Sequence, residues 1–477
     1  MLVQVSWMDM IKRYPVRWPV IVISLLAGGI LGAQSPLGML ISEQSRTGFT
    51  VQGAGGRAMG LGGAFIAVAD DASAVSFNPA GLAQLMLPEV SVVGQGVNRR
   101  VSYRDFESTS SRGSATVSDS LIGNSRFDPL ALSGSIPLLI GDKNLCIQFS
   151  AQRAFTLGEG DSRDLLVTPN ADSGANTNLR QSIDQSGQID VYSFAMAYEV
   201  SQRILIGASY NLWRGRWDLN SNSANSTGDV ENYMAFHQDN RFSGQNYNLG
   251  LIWRWPTWSL GVVYHTAFRA EYGFRMGMES NLKSLNTRGD GDGGLHWPAV
   301  LGVGLAVRPW ERVLITADLV LTPWSTARFT TGSRNLNGLN FFSSDRGGAT
   351  PNATVFRMGS EYVMVRDSGD IIPFRAGVCR EPQPVQDVLT GEQRVMYGVT
   401  LGSGYKKGMH SVDLAYRYSW SRRRASQFMD VEQLAGKDRT TNVGEERTIE
   451  NRLNLSYTVQ FRREPVQKAF HYLFVGD

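Results

Sequence analysis

The segment Asn451-Arg452-Leu453-Asn454-Leu455-Ser456-Tyr457-Thr458-Val459-Gln460-Phe461 puts an apolar residue at every second position from Leu453 onward, with Asn454, Ser456, Thr458 and Gln460 between. Successive side chains of an extended backbone point to opposite faces, so a period of two predicts a β-strand with one greasy and one polar face. The same alternation returns in Tyr192/Phe194/Met196/Tyr198/Val200, Ile204/Ile206/Ala208/Tyr210/Leu212 and Tyr247/Leu249/Leu251/Trp253/Trp255. It continues in Leu301/Val303/Leu305/Val307 and Val412/Leu414/Tyr416/Tyr418/Trp420. Reading outward from these, about fourteen strands fall between residues 88 and 461, their ends placed to within a few residues. Among them are 145 to 157, 187 to 200, 204 to 219, 241 to 255 and 258 to 274.

The connections alternate in length. Short ones carry turn residues, as in Gly141-Asp142-Lys143-Asn144, Pro256-Thr257 and Lys406 to Gly408. The others are long and rich in Ser, Asn, Asp, Gly and Thr, which is the pattern of an outer-membrane barrel. Lipid offers no partner to a backbone N–H or C=O, so a sheet crosses a bilayer only by closing on itself. A soluble sandwich or propeller also alternates, but rarely keeps one side of every connection short. The expected fold is therefore all-β, a transmembrane antiparallel barrel over residues 88–461 that keeps its apolar faces toward lipid. Its other faces would give the lumen Gln148, Gln152, Asn211, Asn248, Arg254, His265, Arg269, Arg357, Glu361, Arg375, Asp413 and Arg417. Trp253, Trp255, Trp258 and Trp310 stand beside short turns, where an interfacial aromatic belt belongs.

Composition agrees. The 477 residues are 42% hydrophobic and 19% charged, which excludes a disordered chain, and hold 51 Gly, 11 Trp, 16 Tyr and 21 Phe. The 46 Lys+Arg against 43 Asp+Glu are spread along the chain, so no basic stripe marks a nucleic-acid partner. Cys146 and Cys379 read as small packing residues and not as a disulfide. At the start, Lys12, Arg13 and Arg17 precede the apolar run Trp18 to Ala33, which reads as an export signal over residues 1–33. The run is shorter than the about 20 residues a spanning helix needs.

Residues 34–87 do not follow the barrel pattern. They include Gly56-Arg57-Ala58, then Ala69-Asp70-Asp71-Ala72, then Asn78-Pro79-Ala80-Gly81-Leu82, set among small residues. In this order, ahead of a β-rich chain, these motifs resemble the N-terminal signature of the FadL/TodX-type outer-membrane transport proteins for long-chain fatty acids and other hydrophobic compounds. The related PorV-type outer-membrane proteins carry a similar signature. The resemblance implies a fourteen-stranded barrel with residues 34–87 as a hatch in its lumen, and short helical turns near Ala72 and Pro79. Gly56, Arg57, Ala58, Asp70, Asp71, Asn78, Pro79, Ala80 and Gly81 would be the hatch or gating residues. The residues themselves are compatible: small side chains suit close packing, Asp70 and Asp71 can pair with lumenal Arg or cap a helix start, and Asn78-Pro79 favours a turn. Family members have a kink in the third strand beside a side opening; Leu145 to Phe155 contains no Gly or Pro, so nothing in the sequence announces that kink.

The function expected from the resemblance is passive uptake of a hydrophobic molecule from the long-loop side. Loop aromatics such as Phe236 and the pair Phe341-Phe342 would form a receiving surface or simply pack loop on loop. Arg357, Arg375 and Arg417 would meet a carboxylate head or pair with Glu361, Asp413 and hatch acids. Two alternatives stay open: a PorV-type scaffold that binds a secretion-system protein, and a general porin. A monomeric barrel in outer-membrane lipid is expected, with no cofactor and no metal. Gly53 to Ala58 matches a relaxed dinucleotide fingerprint without the βαβ unit it requires. Gly289-Asp290-Gly291-Asp292-Gly293-Gly294 lacks the glutamate of a calcium loop, and the five His show no metal-ligand spacing. No Ser/His/Asp arrangement stands out, so no enzyme activity is expected. Residues 462–477 would form a periplasmic tail.

Overall fold

The computed structural model describes residues 53–462, except 105–106, 111–112, 118–119, 158, 170–176, 228–229, 282–285, 332–349, 388–389 and 427–442. The predicted export signal, Phe341, Phe342 and the tail from Arg463 lie outside the described residues.

Fourteen strands form the wall. They are β1 Glu89–Arg104, β2 Ser120–Ile140, β3 Lys143–Thr156, β4 Thr177–Ser201, β5 Ile204–Thr227, β6 Val230–Arg254 and β7 Trp258–His265. The circuit continues through β8 Val300–Trp310, β9 Val313–Thr322, β10 Ala353–Val365, β11 Ile371–Gln386, β12 Gln393–Lys407, β13 His410–Ser426 and β14 Val443–Gln460. Each pairs antiparallel with the next. β14 then pairs back onto β1, from Glu89↔Gln460 to Arg104↔Glu445, so the wall has no edge. Leu453, Leu455 and Tyr457 are exposed on the outside, while Asn454 and Ser456 of the same strand are buried inside. That is the reverse of a soluble protein, and it is the arrangement lipid selects. Trp253, Trp255 and Trp258 stack at a short turn with ring centroids 4.2 and 4.4 Å apart along the row.

Several strands run further toward the long-loop side than their alternation predicts: 187 to 200 becomes Thr177–Ser201, 204 to 219 becomes Ile204–Thr227, and 241 to 255 becomes Val230–Arg254. Phe236, predicted in a loop, is a buried residue of β6. Ladder pairing continues there although the outer faces have turned polar, with Arg214, Arg216 and Arg241 exposed. Inward, the same stretches carry Trp213, Trp217 and Phe242, all buried.

Four interruptions shape the interior. In β3 the register shifts between Arg153 and Phe155. β7 breaks at Thr266–Ala267 before resuming as Phe268–Ser280, Thr287–Trp297 breaks before β8, and β9 is separated from Arg328–Thr331 by a short 3-10 turn at Trp324–Thr326. One extra residue moves every later side chain to the other face. Thus Val263 and His265 face inward below the break in β7, and Phe268, Ala270 and Tyr272 above it. Arg269, predicted for the lumen, is exposed on the outside for this reason. The bulge in β3 forms without the Gly or Pro that would have announced it.

Candidate functional site

Residues 53–87 lie against the inner face of the wall. They form a short helix α1, Gly56–Gly60, and two 3-10 turns, Ala74–Ser76 and Pro79–Gln84, with most side chains buried. So little regular structure leaves backbone groups in need of partners. Wall side chains supply them. Asp318 of β9 accepts from the Phe65 and Ile66 N–H groups at 2.7 and 3.0 Å. Gln148 of β3 donates to the Ala72 carbonyl at 2.8 Å, and Asn144 to that of Leu85 at 2.7 Å. Thr400 of β12 accepts from Gly62 N–H and donates to the Gly60 carbonyl, both at 3.0 Å.

Asn78 joins the segment to the wall. Its Oδ1 accepts from Ala80 N–H at 3.1 Å, capping the 3-10 turn, and its Nδ2 donates to the carbonyls of Ile66 and Leu251 at 3.0 and 3.1 Å. Pro79 and Ala80 then press on Gly207 of β5, where an added Cβ would stand 2.4 Å from the Ala80 nitrogen. Gly81 backs onto Ala69, and a Cβ there would overlap the Ala69 carbonyl.

The opposite wall is charged. Arg57 pairs with Asp70 of its own segment and with Glu361 of β10 at 3.1 Å. Glu361 also accepts from Arg375 of β11 at 2.6 Å, and Arg375 reaches Asp413 of β13 at 2.6 Å. Arg57 further lies over the Phe65 ring, 5.5 Å from its centroid. Asp71 accepts from the Ser73 N–H at 2.8 Å; burial raises its carboxyl above the ordinary range while Arg57 pulls it back. Gly56 donates to Ser456 of β14 at 2.6 Å. Arg357 and Arg417 instead converge on Glu381 of β11, at 3.0 and 2.7 Å.

Toward the long loops the interior becomes apolar. Phe155, Trp213, Trp217, Phe242, Phe268, Tyr272, Trp297 and Trp324 are among the residues of one buried cluster. Trp297 is its hub, with ring centroids 5.2 Å from Trp324, 5.9 Å from Phe155 and 6.0 Å from both Trp213 and Phe268. Between this cluster and residues 53–87 lie two cavities of about 70 and 80 Å³ that share Ser76, His265, Trp297 and Val300 as lining. The first is bounded further by Trp213, Phe268 and the amides Asn211, Asn246 and Asn248, the second by Phe77, Val263, Trp324 and Arg357.

Residues 38–447 match the family model for outer membrane protein transport proteins (OMPP1/FadL/TodX). The chain belongs to this family. No curated protein matches it at a significant level. The solved structure of a Pseudomonas aeruginosa FadL homologue is similar, with a TM-score of 0.61 and 17% identity over 87% of this chain and 99% of that one. The Ralstonia pickettii toluene transporter TbuX and the P. putida toluene transporter TodX each give a TM-score of 0.52 at 16% identity, over 87% of this chain and 100% of theirs. At these identities the likeness is one of fold.

The FadL/TodX signature is thus spread over several contacts. Gly56, Arg57 and Ala58 lie in α1, Asp70 is Arg57's partner, and Asn78 to Gly81 form the capped turn on β5 and β6. Of the predicted lumenal charges, Glu361, Arg375 and Asp413 come together with Arg57, whereas Arg357 and Arg417 form a separate cluster. Sequence reasoning missed Glu381 and Asp318. Both stand on the inward phase of their strands, two residues from Cys379 and Thr316, so the alternation itself held the signal. It also missed the aromatic cluster: Phe155 and Phe268 follow a bulge or break, whereas Trp213, Trp217 and Phe242 keep the inward phase of Asn211 and Asn246 and only exchange polar for apolar.

Proposed function

We propose that this chain carries hydrophobic compounds passively across a bacterial outer membrane, with residues 34–87 as a hatch and residues 1–33 as the export signal. One observation carries the reading: an aromatic-lined interior, with two cavities, sits above a segment that occupies the charged and amide-lined part of the lumen. A hydrocarbon leaving water for that cluster gains about 0.8 kcal/mol per buried CH₂. Phe341 and Phe342 would help receive it at the loops. Gly56, Arg57, Ala58, Asp70, Asp71 and Asn78 to Gly81 hold the hatch, and movement of Pro79–Ala80 off β5 opens the way below.

The seam between β2 and β3 offers a sideways exit. The two strands pair from Ile140↔Lys143 only to Ala131↔Gln152, beyond which Arg153 bridges to Asp128 at 3.2 Å. Liposomes loaded with a solvatochromic dye and carrying the purified protein should take up an added hydrophobic compound faster than empty liposomes. Equal rates, together with capture of a secreted protein on the loops, would replace transport with the PorV-type scaffold.

A further inference from the structure

Where β5 and β6 run past the bilayer toward the long loops, their outer face carries an electrostatic mismatch. Arg216 and Arg241 stand directly opposite each other in the ladder, both exposed on the outside. Like charges directly opposite across a sheet repel and destabilise the pair. Their other neighbours in the row are Gln188 of β4 and Gly273 of the resumed strand Phe268–Ser280, so the row holds no carboxylate. No ion pair reaches either guanidinium among the described residues. The acids nearby are placed elsewhere. Asp218 and Asp239, the next outward pair, face each other; burial and the contact with Asp239 raise the Asp218 carboxyl above its ordinary range, and Asp239 lies 3.3 Å from His237. Asp190, opposite Arg214, is held by Arg153 at 3.4 Å, and Glu271 accepts from Ser243 at 3.4 Å. Asp292 covers Gly273.

Height decides what meets this pair. On the same outer face Tyr210 and Tyr247 are opposite partners with ring centroids 5.5 Å apart, and the outward residues below them, such as Ile206, Leu249 and Leu251, are apolar and exposed. The tyrosines therefore mark the membrane interface. Arg216 and Arg241 each lie six residues further along their strands. That is about 20 Å of strand, or about 14 Å above the tyrosines at a tilt of about 45°. Phospholipid headgroups fill only about 5–8 Å beyond the hydrocarbon on each side. A phosphate at the level of the arginines is one carried higher, on sugars. We infer that this flank of the wall binds a phosphorylated glycolipid of the outer leaflet, with Arg216 and Arg241 together clamping one sugar-borne phosphate. Opposite residues of a ladder are about 5 Å apart at Cβ, so both planar forks reach the same phosphate, and the anion between them turns their repulsion into attraction. The inference rests on the outer-membrane placement of the family and not on which compound is carried.

The probe is fluorescently labelled rough-type lipopolysaccharide with a phosphorylated core, added to the purified full chain in detergent and followed by anisotropy. Arg216→Gln with Arg241→Gln should weaken its binding about tenfold, and the lysine pair at the same positions should recover part of the loss. Arg308→Gln with Arg312→Gln, which removes two exposed arginines at the short-turn end, should bind as the native protein does. Phosphatase-treated lipopolysaccharide should bind the native protein as weakly as intact lipopolysaccharide binds the Arg216/Arg241 double variant. Heat-modifiable gel migration reports whether each variant is folded, and uptake of a hydrophobic compound into liposomes free of glycolipid should be the same in native and double-variant protein. Native-like binding by the folded double variant overturns the clamp. Equal loss in the Arg308/Arg312 control, or equally tight binding of phosphatidylglycerol by the native protein, overturns it in favour of unspecific attraction of anionic lipid. Each of these failures leaves the transport reading standing, which falls only if uptake itself is absent.

Discussion

Replacing Gly207 with alanine tests whether residues 53–87 stop the pore. The position is in β5 with its face to the lumen, and the new Cβ would stand 2.4 Å from Ala80 N, 2.5 Å from Pro79 C and 2.6 Å from Pro79 O. All three are backbone atoms, so no side chain can swing aside. Ordinary carbon contacts begin near 3.5 Å, so the turn must retreat by roughly 1 Å. Overpacking of this kind costs about 1–3 kcal/mol, while alanine in a strand is itself favoured over glycine by about 0.5–1 kcal/mol. The strain therefore falls on the docked turn and not on the wall. A net penalty of about 1.4 kcal/mol raises the undocked fraction about tenfold. In planar bilayers, Gly207→Ala should conduct ions in openings far more frequent than those of the native protein, with unchanged heat-modifiable migration. Gly134→Ala is the control, since a Cβ there meets only Val90 Cγ2 at 3.9 Å. Native-like conductance in Gly207→Ala, with the barrel folded, would refute the idea that this turn seals the lumen.

Three further outcomes follow from the same geometry. Asp318→Leu removes the acceptor for two segment N–H groups and should lower the protease resistance of residues 53–87, at a cost of about 1–3 kcal/mol, without opening the wall. Glu361→Leu leaves Arg57 and Arg375 facing each other, so the denaturation midpoint in detergent should fall by an amount equivalent to about 3 kcal/mol; Glu361→Gln should recover part of it. Leu455→Arg puts a charge on the lipid face and should lower the folding stability in vesicles by about 2–4 kcal/mol, whereas the nearby lumenal change Thr458→Ser, which keeps the hydroxyl bonded to Ser91, should have little effect.

Where one side of a strand faced lipid and the other the lumen, period-two alternation located the strand. β14, β13 and the lower parts of β5 and β6 were legible for this reason. Past the bilayer the outer face becomes charged while the inner face becomes apolar, so the phase of the signal inverts without any break in the ladder; that is why Phe236 read as a loop residue. Arg269 was assigned to the wrong face because a bulge at Thr266–Ala267 needs no special residue. The signature motifs fall within residues 53–87, but the contacts of that segment with the wall at Asp318, Gln148 and Thr400 bridge separations of 76 to 338 residues that no local pattern records.

The inversion along the cylinder divides the chain between two solvents. Below Trp213 cohesion comes from hydrocarbon outside and hydrogen bonds inside; above it, a collar with Arg214, Arg216 and Arg241 turned outward closes over Trp217, Phe242 and Tyr272 like the core of any water-soluble sheet. The collar is thus held by the aversion of oil for water, and the staves beneath it by the aversion of unpaired amides for oil. On the proposed route, a compound moving down the axis would stay in greasy surroundings until the level where the staves are themselves greasy on their far side.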